Sequence, residues 1–144
     1  MGEQLAEPAR SVDYVIDTTF LIRLWRDRQR SAEYGFVTRH ADDSVCMPWV
    51  VKGEFLRGAL LAEHEEDDVR RFLDRYPTVW VTEETLVHYA RIYKALVKSR
   101  RTVGANDLWI AASALEHDLP LLTRNATEFR RVDGLKVVDY TIAE

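Results

Sequence analysis

The stretch Val12-Asp13-Tyr14-Val15-Ile16-Asp17-Thr18-Thr19-Phe20-Leu21-Ile22 decides the fold. Residues 12–17 carry Val12, Tyr14, Val15 and Ile16 and read as a buried strand that ends at Asp17. From Thr18 the period changes. Phe20, Leu21, Leu24 and Trp25 fall on one face of a helix. A buried strand that passes across a single acid into an amphipathic helix opens a βα unit.

Working outward, a charged second helix is expected over 27–40, and a short strand over 44–47. Pro48 suits the first turn of a helix, where its missing N–H costs nothing, and that helix should run to about Ala62. Residues 63–68 read as a solvated acidic turn, Val69 to Tyr76 as a short helix, and 79–81 as a strand. Thr82 begins a long helix that should run to about Arg101. Gly104 breaks it, and Asn106 is expected to cap another helix ending near His117. Strands follow over 119–123 and 135–138. Strands that alternate with helices predict an α/β domain, a three-layer α/β/α arrangement with a central parallel sheet. Residues 1–11 lack periodicity and read as an N-terminal extension to a single domain over 12–144.

Composition agrees with one domain. The chain has 144 residues, of which 47% are apolar. At that size roughly 68–70% of the unfolded surface can be buried, so no disulfide or structural metal is required. Cys46 stands alone, which excludes an intrachain disulfide and a multi-cysteine zinc site. No apolar run approaches the roughly 18 residues of a membrane span. The start, MGEQLAEPAR, lacks the basic and apolar parts of a secretory signal. A cytoplasmic protein with no membrane association is expected. The formal net charge of −4 argues against a wholly basic nucleic-acid coat but leaves local patches open. All the cationic residues except Lys52, Lys94, Lys98 and Lys136 are arginine, which suits forked contacts to phosphate.

Three acids sit against the pattern. Asp17 lies at the carboxyl end of the first strand, where open α/β sheets place their sites, although it could equally cap the helix. Glu54 shares a helix face with Val50, Val51, Gly58 and Leu61, beside an apolar strip where an unpaired carboxylate is expensive. Arg57 is its alternative partner, and Gly58 leaves room beside it. Asp107 shares a face with Ile110, Ala111 and Ala114, whose small side chains let the helix approach the sheet. Were the three carboxylates to meet at ~5 Å, their repulsion would total about 10 kcal/mol at an effective dielectric near 20. Such a cluster must take up protons or hold a hard cation, and oxygen-only ligands select Mg²⁺ or Mn²⁺. Dinucleotide and nucleotide-triphosphate loops are absent from the sequence, and His40, His64, His88 and His117 avoid the strand ends.

The chain resembles the PIN-domain ribonucleases and, within them, the VapC-type toxins of bacterial toxin–antitoxin pairs. The likeness rests on Val15-Ile16-Asp17-Thr18-Thr19-Phe20-Leu21-Ile22, on Glu54 within 50–58, on Asn106-Asp107-Leu108-Trp109-Ile110-Ala111-Ala112, and on Leu122-Thr123-Arg124-Asn125 with Glu128-Phe129 after it. It spans about residues 12–140 and departs from the family at Asn125, where many members carry an acid. The resemblance implies an endoribonuclease that uses metal-activated water. Asp17, Glu54 and Asp107 would hold Mg²⁺, for which Mn²⁺ could substitute. Asn125 would complete the catalytic set, with a larger effect on removal than Glu128, although Glu128 could instead supply the missing charge, and Thr19 would hydrogen-bond within the site. Arg23, Arg26, Arg124 and Arg130 could take RNA phosphates. A homodimer is implied, and so is a small antitoxin. The antitoxin would place an apolar helix in a groove near Trp25 or Trp49, and an arginine or lysine of its own on the acids. Two other readings stand beside this one: an inactive PIN-like or other α/β module that only binds a partner, and an Mg²⁺-dependent aspartyl-phosphate protein. The second lacks its usual second acid, because Thr19 occupies that place.

Overall fold

The computed structural model describes residues 13–141. The expected extension over 1–11, with Val12 and residues 142–144, lies outside the described residues. The elements follow in the order β1 (Tyr14–Ile16), α1 (Thr18–Asp27), a 3-10 turn (Arg28–Arg30), α2 (Ala32–Arg39), β2 (Val45–Pro48), α3 (Trp49–Leu61) and α4 (Glu66–Leu73). They continue with β3 (Thr78–Val79), α5 (Glu83–Ser99), α6 (Ala105–Glu116), β4 (Leu121–Leu122), α7 (Ala126–Phe129) and β5 (Val137–Val138).

All the strand pairings are parallel, in the order β3-β2-β1-β4-β5. The chain steps from β1 outward to β2 and β3, then returns to the other side of β1. Right-handed crossovers then place α1 to α4 on one face and α5 to α7 on the other. The reversal makes the gap between β1 and β4 the topological switch point, the usual position of a site in such sheets. Val15 and Ile16 of β1 stand beside Leu121 and Leu122 of β4, so Asp17 and Thr123 are the next residues at that edge.

Burial explains the short strands. Val15, Ile16, Leu121 and Leu122 are all 0% exposed, as expected for strands covered on both faces. Phe20 and Leu21 dock α1 against them, and each such burial contributes roughly 1.5–3 kcal/mol. Ala111, Ala112 and Ala114 are also fully buried, which lets α6 lie close to the sheet as their size predicts. Among the described residues no helix is long and apolar enough to cross a membrane.

Three local expectations are corrected. The helix expected over 27–40 is broken, because Arg28 has a positive φ and Ser31 caps a new helix by accepting from the Tyr34 N–H. The acidic run is not all turn: Glu66, Asp67 and Asp68 form the first turn of α4, where the helix dipole favours anions. Asn106 is not a cap. Gly104 occupies that position, and Asn106 lies inside α6 with its side chain committed elsewhere.

Candidate active site

Asp17 does both things that its position allowed. Its Oδ1 accepts from the Phe20 N–H at 2.9 Å and so caps α1. Its Oδ2 accepts from the Thr123 hydroxyl at 2.6 Å, across the switch point. The residue is only 6% exposed. Burial pushes its carboxyl above the ordinary range, against the lowering effect of those two donors, and nearby Glu33 adds to the rise.

Glu54 projects from α3 toward the same end of the sheet. Its Oε1 accepts from the Thr18 hydroxyl and its Oε2 from the Asn106 amide at 2.7 Å. Neither Arg57 nor any other cation pairs with it among the described residues. Asp107 lies in the first turn of α6. Its carboxyl is pushed up to about 7, first by burial and then by the charge and hydrogen bond of Glu128, with Asp17 and Glu54 adding further repulsion. Carboxylates from the end of β1, from α3 and from α7 thus act on the Asp107 carboxyl of α6 at one edge of the sheet. Among the described residues no group of three closes into a ready-made metal cage. Asp17, Glu54 and Glu128 are each drawn toward their own hydroxyl or amide donors, which limits the repulsion of the metal-free cluster, whereas Asp107 faces the other acids.

The fourth side differs in detail from the sequence reading. Glu128 is the acid whose charge acts most strongly on Asp107. The exposed Asn125 donates its amide to Glu128 Oε1 at 2.7 Å, and the Gly104 N–H approaches Oε2 at 3.4 Å. The hydroxyl beside the acids is that of Thr18, whereas Thr19 is exposed. Thr18, Asn106 and Thr123 are the site residues that sequence reasoning left unassigned. Each is a hydroxyl or amide residue near an acid of the pattern, but the direction of its side chain was not legible. Among the candidate RNA-binding arginines, Arg23 and Arg124 are held by Glu33. Arg26 and Arg130 are exposed, Arg26 with its Nε against Asp27.

The donor set suits a hard divalent cation: it is all oxygen, like-charged and partly dry. Cys46 is no rival ligand, since burial pushes its thiol up to about 12. A pH dependence follows. The Asp107 carboxyl titrates near 3.8 when exposed and near 7 in the fold, so the folded state holds a proton that the unfolded chain has lost. The associated stability is complete at low pH and is lost as pH rises through about 7. The melting temperature of the metal-free protein should therefore fall across that window. The same scan on Asp107→Asn should be flatter, and identical profiles would show that Asp107 does not carry the effect.

Comparison with known proteins is consistent with this geometry. The family model for the PIN domain matches residues 14–135. A ribonuclease VapC1 of Rickettsia felis is 30% identical over 130 residues, covering 86% of this chain and 93% of that protein. A ribonuclease VapC1 of Haemophilus influenzae is 29% identical over 131 residues, covering 89% and 98%. Among solved structures, VapBC-1 from nontypeable Haemophilus influenzae superposes with a TM-score of 0.77 at 28% identity, covering 91% of this chain and 100% of that one.

Proposed function

The chain belongs to the PIN-domain family, among the VapC ribonucleases, and from that premise we propose that it is a metal-dependent endoribonuclease acting as the toxin of a toxin–antitoxin pair. The observation that supports it best is the hydrogen-bonded setting of the acids at the switch point: Asp17 on Thr123, Glu54 on Thr18 and on Asn106 beside Asp107, and Glu128 on Asn125. These four acids would hold Mg²⁺, or Mn²⁺ in its place. A cation held there would supply Lewis acidity toward the phosphodiester and would lower the pKa of a water so that hydroxide is available as the nucleophile. The chain's own part is positional. Thr123 and the Phe20 N–H fix both oxygens of Asp17. Thr18 and Asn106 fix those of Glu54, and Asn125 that of Glu128. Arg26 and Arg130 remain exposed for RNA phosphates.

A groove of roughly 1540 Å³ runs from Glu54 between the early helices. Trp25, Phe55, Ala59 and Phe72 line it, and Arg28 and Arg75 stand among its walls. An apolar helix of an antitoxin would fit there, ending with a cation on the acids. Trp49 does not belong to this groove and packs instead against Trp109 at 5.6 Å. A homodimer is part of the same reading, and Leu86, Tyr93 and Val97 supply an exposed apolar stripe on α5 for it.

Expression of the chain alone should arrest growth. Co-expression with the product of the neighbouring small gene should relieve the arrest, and the purified chain should cleave RNA only with Mg²⁺ or Mn²⁺ added. A chain that is harmless alone yet active as a nuclease in vitro would be a housekeeping nuclease and not a toxin.

A further inference from the structure

Among the described residues Glu33 is the one charged side chain with no exposure at all. It lies on α2, close enough to Asp17 for its charge to act there. A buried carboxylate is strongly destabilising unless it is paired and hydrogen-bonded. Here Oε1 accepts from Arg23 Nε at 3.2 Å, and Oε2 from Arg124 Nε at 2.9 Å and from the Tyr140 hydroxyl. Burial raises its carboxyl, but the Tyr140 and Arg124 hydrogen bonds outweigh that and hold it below the ordinary range. The group is therefore ionised at neutral pH.

Its donors come from α1, from the turn after β4 and from the segment after β5. Arg124 stands between the two residues that reach the acids. The chain bends at Arg124, and the Asn125 N–H donates to Thr123 Oγ1 at 2.9 Å across the bend. With Arg124 at the bend clamped to Glu33, the Thr123 hydroxyl reaches Asp17 and the Asn125 amide reaches Glu128. Tyr140 packs edge-on against Phe20 at 5.0 Å, and the Phe20 N–H is the second donor to Asp17. A hydrophobic group of similar volume would serve stability at least as well as a buried ion pair. What the carboxylate adds is direction, because it fixes where a guanidinium and a hydroxyl must lie.

We propose that Glu33 is a positioning residue for the acid cluster: through Arg124 and Tyr140 it sets the Thr123–Asn125 turn that orients Asp17 and Glu128. The inference rests on the reading of those acids as metal-holding. It assigns Arg124 to the scaffold and not to the RNA.

The test compares Mn²⁺ affinity, kcat and KM for RNA, and melting temperature in wild type, Glu33→Gln, Arg124→Gln and Asp107→Asn. Leu96→Ala, in the core of α5, serves as a destabilised control remote from the site. Glu33→Gln and Arg124→Gln should each weaken Mn²⁺ binding by about 10-fold or more and lower kcat, with KM little changed. Leu96→Ala should bind Mn²⁺ as wild type does despite its lower melting temperature. Should Glu33→Gln fail to fold, Arg124→Gln decides, since that side chain is 37% exposed and Glu33 keeps two partners. Wild-type Mn²⁺ affinity in either folded variant overturns the proposal, and so does a raised KM with unchanged Mn²⁺ affinity in Arg124→Gln, which would mark a phosphate contact. Loss of Mn²⁺ in Asp107→Asn alone would leave the metal site standing and remove only Glu33's role. Retention of Mn²⁺ in Asp107→Asn would instead remove the metal reading itself.

Discussion

Asp107→Asn should lower metal-dependent RNA cleavage by about 1,000-fold or more, equivalent to ~4 kcal/mol of barrier, while the metal-free protein melts at a higher temperature. Both effects have one cause. Asp107 receives the repulsion of Glu128, Asp17 and Glu54 together, and burial deprives it of water. An amide at this position keeps the shape, removes the charge and relieves the repulsion. It also removes the ligand that would tie α6 to the cation. Asp17→Asn and Glu54→Gln should share the loss of activity. For Asp17→Asn the gain in stability should be smaller, because Asp17 already accepts from Thr123 and from the Phe20 N–H, and an amide would waste one of those bonds. If all three variants cleave RNA as wild type does, the site is misassigned. An inactive binding module is the reading left if the wild type takes up no Mn²⁺ at these acids.

Glu128→Gln should lower cleavage by roughly 100-fold, and Asn125→Ala by roughly 10-fold, the latter within the usual range for a residue that orients a metal ligand. This ranking reverses the one expected from the sequence. Glu128 acts directly on the Asp107 carboxyl, whereas the Asn125 side chain reaches Glu128, through its amide. Losing the amide lets the carboxylate turn but leaves its charge. Losing the charge leaves the α7 side of the cluster without an anion. Cleavage assays at saturating Mn²⁺ separate the two, because excess metal should rescue Asn125→Ala more than Glu128→Gln. A dead Asn125→Ala beside an active Glu128→Gln would restore Asn125 as the group that completes the site.

Periodicity along the chain was enough for the α/β class, the parallel sheet and the element order, because burial on both faces makes strands such as Tyr14–Ile16 and Leu121–Leu122 apolar throughout. It also singled out Asp17, Glu54 and Asp107, since an acid inside an apolar pattern is visible one residue at a time. Local chain geometry was less legible. The break at Arg28 depends on a left-handed backbone that no residue type there demands, and the start of α4 was masked by an acidic run that serves as turn or first turn equally well. The assignment of partners was decided only by tertiary structure. Which hydroxyl meets Glu54, whether Asn125 or Glu128 acts on Asp107, and whether Arg124 faces RNA or Glu33 all depend on side-chain directions. Those directions are set by contacts between segments far apart in sequence, as when Thr123 meets Asp17 and Arg124 meets Glu33. Charge pattern names residue types within a segment, whereas hydrogen bonds across the switch point exist only once β1 and β4 lie side by side.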